Sequence, residues 1–162
     1  MRALVVYYSL AGTTRAVAQA LAMEFGADSE EIRCGRYRMS LLSFFKAGYD
    51  SWKGRLPPID PPSRDPSHYD LVVIGGPVWA SHAATPVRTY LRDHASRFQR
   101  VAFFVTMGGT GSEPSLREME QITGRAPMAT LAVRAAEVKK ESFGPAVASF
   151  AARLRAEEAA RA

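Results

Sequence analysis

Nearly continuous apolar runs alternate with stretches of helical spacing along this chain, and that alternation limits the fold more than any other feature. Residues 69–75 (Tyr-Asp-Leu-Val-Val-Ile-Gly) form the clearest run, joined by residues 2–8, 100–106 and 128–133. A strand wetted on one face alternates apolar and polar residues, whereas a strand covered on both faces is apolar throughout. Between the runs, residues 13–25 place Val17, Leu21 and Phe25 four apart on one helical face, with Gly26 as a stop. Residues 85–94 form a second helix, with Pro86 in the first turn where its missing N–H does no harm. Helices are also expected over 112–122 and 144–160, and a weaker strand over 28–33. The pattern implies an α/β fold, a doubly wound parallel sheet of five strands with helices on both faces. In such sheets ligands sit beyond the carboxyl ends of the strands, where strand order reverses.

The segment from 34 to 66 is less regular. Residues 40–47 suit a helix, and 56–66 carries five prolines and is expected to be extended. At 162 residues the chain is expected to be one domain, spanning 1–162. No apolar run approaches the ~20 residues that cross a bilayer, and the amino-terminal run makes a poor signal peptide. With Cys34 as the lone cysteine, these features predict a cytoplasmic protein without membrane insertion.

A formal net charge of +5 raises the question of nucleic acid. The basic residues are scattered, however, and the densest group, Arg33, Arg36, Arg38, Lys46, Lys53 and Arg55, is interleaved with Tyr37, Phe44, Phe45, Tyr49 and Trp52. That pattern argues against a nucleic-acid site and for a basic docking face or plain solubility.

Three strand-end loops carry the chemistry. The first, Ser9-Leu10-Ala11-Gly12-Thr13-Thr14, brings three hydroxyls and a glycine to the start of a helix. A helix start offers unpaired N–H donors and a partial positive charge, which suit a phosphate. An ordinary N-cap would also use Ser or Thr, but three hydroxyls exceed its needs. Rival phosphate sites each lack a required residue. There is no Gly-Lys-Ser/Thr for a P-loop, no loop cysteine for a low-molecular-weight tyrosine phosphatase and no Gly-x-Gly-x-x-Gly for a dinucleotide. The third strand also ends in Gly75-Gly76, where a receiver domain needs an aspartate.

The second loop, Gly75-Gly76-Pro77-Val78-Trp79-Ala80-Ser81-His82, follows the third strand. Trp79 either lies flat against a planar ring or packs beneath the next helix, and His82 either meets a ligand edge or lies at the surface. The third loop, Thr106-Met107-Gly108-Gly109-Thr110-Gly111-Ser112, lets backbone N–H groups approach a ligand closely; as a plain turn it would need only Ser112 as a cap.

Together these loops resemble the flavodoxin family, over nearly the whole chain. The residues that carry the likeness are 8–14 (Tyr-Ser-Leu-Ala-Gly-Thr-Thr), 69–80 (ending Gly-Gly-Pro-Val-Trp-Ala) and 104–111 (Phe-Val-Thr-Met-Gly-Gly-Thr-Gly). The first is similar to the family's Ser/Thr-x-Thr-Gly-x-Thr phosphate loop, with Ala11 in place of a hydroxyl residue. The resemblance implies strand order 2-1-3-4-5 and FMN at the ends of strands one, three and four. Ser9, Gly12, Thr13 and Thr14 would hold the phosphate in a loop completed by Leu10 and Ala11. Pro77, Val78, Trp79 and Ala80 would line one side of the flavin, and Thr106, Met107, Gly108, Gly109 and Gly111 another.

It further implies an FMN-binding redox protein, acting in electron transfer or as a flavin-dependent oxidoreductase. Electron-transfer flavodoxins usually carry a tyrosine in the third loop and are acidic; this chain has glycines there and is basic. An NAD(P)H-dependent quinone reductase, or a binding module that has lost FMN, is therefore an alternative. Expected partners are a redox protein or a small acceptor such as a quinone, with the chain a monomer or homodimer. The aromatics of 44–52 would either lid the flavin or bury a short helix against the sheet.

Overall fold

The computed structural model describes residues 1–37 and 40–161; Arg38, one of the basic group above, lies outside them. Strands β1 (Ala3–Tyr7), β2 (Asp28–Glu31), β3 (Leu71–Trp79), β5 (Val101–Met107) and β6 (Thr130–Arg134) run parallel in the order β2-β1-β3-β5-β6. This is the expected five-strand order. A two-residue strand, β4 (His82–Ala83), adds an antiparallel pairing to the end of β3. Helices α1 (Thr13–Phe25), α2 (Leu41–Trp52), α3 (Thr85–His94), α4 (Ser112–Thr123), α5 (Ala135–Lys139) and α6 (Gly144–Arg161) complete the chain.

Side chains leave a strand alternately to its two faces, so β1 feeds two separate cores. Leu4 and Val6 join Val72, Ile74, Phe103 and Val105 beneath Val87 and Leu91 of α3 and Met119 of α4. Val5 joins Val73, Ala102, Phe104 and Leu131 beneath Val17 and Leu21 of α1 and Phe150 and Leu154 of α6. Each such side chain contributes roughly 1.5–3 kcal/mol when fully buried, and both layers depend on helices packed on both faces. That is why the inner strands β1, β3 and β5 are apolar almost throughout, while the edge strands β2 and β6 are partly exposed.

Three local expectations change. β3 does not stop at Gly75 but runs on to Trp79, because Gly75 and Gly76 are strand residues packed under neighbours. A Cβ on Gly75 would lie 2.4 Å from the Phe104 ring. The second loop is thus the tip of a hairpin. Helix α2 extends to Trp52, well past 47, capped by the Ser40 hydroxyl accepting from the Ser43 N–H at 3.2 Å. Its buried side is small and polar, formed by Ala47, Asp50 and Ser51. Its aromatics do not bury it against the sheet: Phe45 is 78% exposed and Trp52 65%. Finally, α5 follows β6 directly, its first turn closed by the Glu137 carboxylate accepting from the Arg134 N–H at 2.8 Å.

Candidate functional site

At the carboxyl ends of β1, β3 and β5 lies a cavity of about 230 Å³. The first loop lines it with Ser9, Leu10, Ala11, Thr13 and Thr14, the second with Pro77, Val78 and Trp79, and the third with Thr106, Met107 and Gly108. Phe44 of α2 and Ala135 of α5 complete the wall. Of the residues expected to form a site, Gly12, Ala80, Gly109 and Gly111 do not line this cavity, although each belongs to one of the three loops.

The first loop keeps donors free for an anion. The Ser9 hydroxyl accepts from the Gly12 N–H at 3.0 Å and from the Arg15 N–H at 3.3 Å. A hydroxyl has two acceptor lone pairs and one donor, so with both lone pairs occupied its O–H remains to donate. The Ala16 N–H is taken by the Gly12 carbonyl at 3.1 Å. The Thr13 and Thr14 amides, first in α1, have no acceptor among the described residues. The Arg15 guanidinium does not turn to the loop; it binds Glu31 at 2.6 Å. Donors here are neutral groups at a helix start.

The first and third loops are joined below the cavity. Thr14 Oγ1 and Thr106 Oγ1 lie 2.7 Å apart, both buried. Either hydroxyl can donate, and whichever accepts keeps its own O–H for a ligand. Beyond Thr106 the chain opens: a Cβ on Gly108 or Gly109 would meet no atom within 4 Å.

The second loop is closely packed. Trp79 is 8% exposed and meets the edges of Tyr8 and Tyr37, with ring centroids 5.6 and 5.0 Å away. It bounds the cavity as a packed wall, and its carbonyl accepts from the Ser51 hydroxyl at 2.8 Å. Burial pushes the Tyr8 and Tyr37 phenols and the Cys34 thiol up, so these groups stay neutral and add no negative charge under the cavity. His82 is held by Glu118, whose carboxylate also accepts from the Ala83 N–H at 2.9 Å and from Arg88 at 3.1 Å. Arg88, nearly buried, also donates to the Ser51 carbonyl at 2.9 Å. This network ties α3, α4 and α2 to the hairpin, and no motif in the sequence announced it. The one hint was an arginine among the apolar residues of 85–94.

A larger cavity, about 460 Å³, lies between β2 and residues 59–63. Glu30, Glu31 and Asp60 face it against a single Arg33, an acidic lining that would repel a phosphate. The chemistry favours the smaller site.

A helix start with unpaired donors at a switch point of strand order is common to several folds, and comparison with known proteins decides among them. A family model described as flavodoxin matches residues 2–134. The chain belongs to the flavodoxin family. A flavodoxin-family likeness extends to solved structures. A flavoprotein from Lactobacillus acidophilus NCFM, solved in complex with FMN, is 27% identical, with 86% of this chain and 97% of that one covered and a TM-score of 0.72. A flavodoxin, WrbA-like protein from Agrobacterium tumefaciens shares the fold at 14% identity, covering 97% of each chain with a TM-score of 0.61. Rubredoxin oxygen:oxidoreductase from Desulfovibrio gigas also contains it, at 17% identity and a TM-score of 0.54, over 98% of this chain and 37% of that one. No protein of curated function matches significantly. Within the flavodoxin fold, Ser9, Thr13 and Thr14 of the first loop and Thr106, Met107 and Gly108 of the third line the same cavity.

Proposed function

We propose that this chain binds FMN at the ends of β1, β3 and β5 and works as a redox protein, passing electrons to a partner protein or a small acceptor. The observation that carries this reading is the set of unpaired donors at the start of α1: the Ser9 O–H and the Thr13 and Thr14 amides, beside the cavity bounded by Trp79 and Thr106. These suit the phosphate, while Pro77, Val78 and Trp79 on one side and Thr106, Met107 and Gly108 on the other suit the flavin ring, with Ala80, Gly109 and Gly111 supporting those loops from outside the cavity. Family membership and the FMN bound by the Lactobacillus relative support the same assignment.

The cofactor, when bound, supplies the one- or two-electron chemistry; the chain supplies binding, orientation and electrostatics. Ser9, Thr13 and Thr14 orient the anchored end. The buried wall of Trp79, Tyr8 and Tyr37 excludes water from one side. The cavity is smaller than the ~300–1,000 Å³ of sites that enclose a ligand, so FMN would remain partly uncovered. Gly108 and Gly109 place no side chain over it, which favours a small acceptor such as a quinone reaching the flavin directly, with reduced nicotinamide nucleotide as a candidate donor.

Absorbance and release of the cofactor test the reading. Purified protein should show flavin bands and free FMN on denaturation. Protein that is colourless and gains no bands when FMN is added would instead be a binding module on this fold.

A further inference from the structure

The largest concentration of exposed apolar side chains in the described structure is on helix α2. Leu42, Phe45, Tyr49 and Trp52 are spaced three, four and three apart, which sets them in one stripe along the helix. Leu42 is 82% exposed, and the others range from 49% to 78%. A contiguous apolar surface of this kind marks an interaction site more often than chance exposure does.

The charges beside the stripe have one sign. Lys46 and Lys53 follow Phe45 and Trp52 by one position, and Arg55 lies just past the helix. The Lys53 ammonium sits 4.6 Å from the Trp52 ring centroid and the Arg55 guanidinium 5.4 Å from that of Tyr49. The single acid of the helix, Asp50, is buried, bound by Arg36 at 2.7 Å and paired with Arg55 at 3.7 Å. The outer face therefore offers aromatic and cationic groups and no carboxylate.

We propose that the outer face of α2 docks on the surface of an anionic lipid bilayer. Aromatic and leucine side chains flanked by lysines are the composition of helices that lie in a bilayer interface. Lys53, on a long flexible stem, can swing from the Trp52 ring to a lipid phosphate as the rings sink, while Arg55 stays paired with Asp50 and adds to the positive field. Near an anionic surface each cation strengthens binding by about five-fold. A second copy of this chain is a poorer occupant, since a two-fold contact would set Lys46, Lys53 and Arg55 against themselves. Phe44, from the same helix, lines the cofactor cavity, so docking would bring that cavity close to the lipid surface. Docking itself does not require the flavin reading, and its test does not use flavin.

The test is co-sedimentation of the full chain with vesicles of phosphatidylcholine, or of phosphatidylcholine and phosphatidylglycerol in equal parts. The wild-type chain should bind the anionic vesicles and not the neutral ones, with a blue shift of Trp52 emission, while the buried Trp79 contributes no change. Combined Lys46→Glu and Lys53→Glu substitutions should weaken binding by more than about 25-fold, two cations at five-fold each. Combined Phe45→Ser and Trp52→Ser should abolish it, with circular dichroism unchanged in both variants. Absence of wild-type binding to anionic vesicles, or equal binding by these variants, would overturn the proposal. So would a wild-type dimer in sedimentation velocity that Phe45→Ser and Trp52→Ser convert to monomer, which would make the face a contact between copies.

Discussion

The hydroxyls of Thr14 and Thr106, 92 positions apart in the chain, meet at 2.7 Å beneath the candidate cofactor cavity. Both are buried, and each is the hydrogen-bond partner the structure gives the other. Thr14→Val or Thr106→Val alone leaves a buried hydroxyl unpaired and should cost about 1–3 kcal/mol. The double substitution removes both and should cost less than the sum of the two. Urea denaturation of the four proteins in a double-mutant cycle measures this; additive losses would mean that the two hydroxyls do not interact.

The turn between β3 and β4 places Ala80 at φ 50° and Ser81 at φ 63°. Positive φ at both central residues suits a type I′ turn, which favours Asn-Gly. Each non-glycine residue in this region costs roughly 1–2 kcal/mol. Ala80→Asn with Ser81→Gly should therefore stabilise the fold by about 1 kcal/mol and raise the Tm by about 2–4 °C, read by calorimetry. A lowered Tm would show that the Ser81 side chain contributes more than its backbone costs.

Gly111 sits against that turn, with φ +91° and a built Cβ only 3.0 Å from Ser81 Cα and Val78 Cγ1. Gly111→Ala meets both an unfavourable backbone and fixed neighbours, and should destabilise by about 1–3 kcal/mol. Gly109→Ala, where a Cβ meets nothing within 4 Å, is the control and should change stability by no more than about 0.5 kcal/mol. Equal effects in thermal melts would contradict the packing described.

Asp50 is 1% exposed and accepts from Arg36 and from the Tyr37 hydroxyl at 3.0 Å. The Arg36 guanidinium holds its carboxyl below the usual carboxylate range. A carboxylate whose folded pKa is depressed adds stability that is complete above its unfolded value near ~4 and is lost as pH falls through the lower folded value. Asp50→Asn should cost about 1–3 kcal/mol at neutral pH, since Arg36 is partly wetted and regains water. The gap from wild type should narrow on acidification below pH ~4. A gap that stays constant down to pH ~2 would place the stabilisation elsewhere.

Much of this architecture was legible in the residues. Apolar runs marked the three inner strands, because a strand covered on both faces has no wetted side, and also marked the edge strand β6; the hydroxyls of the first loop marked a helix start with donors to spare. The end of β3 was less legible: Gly75 and Gly76 read as a loop until the Phe104 ring showed why no side chain fits there. Helix α2 was cut short because its buried side is Ala47, Asp50 and Ser51, which carry no apolar period, while the aromatics that do carry one face outward. Arg88 and Glu118, 30 positions apart, could be paired only in three dimensions.

The central claim is that the Ser9, Thr13 and Thr14 donors hold a phosphate, and calorimetric titration of cofactor-free protein with FMN and with riboflavin tests it most directly. The two ligands share the ring and differ at the phosphate. Hydrogen bonds to a charged group are worth about 1.5–3 kcal/mol each, so two or more predict FMN tighter than riboflavin by at least about 100-fold. Ser9→Ala should reduce that preference. Equal affinity for the two ligands, or binding of neither, would contradict the account.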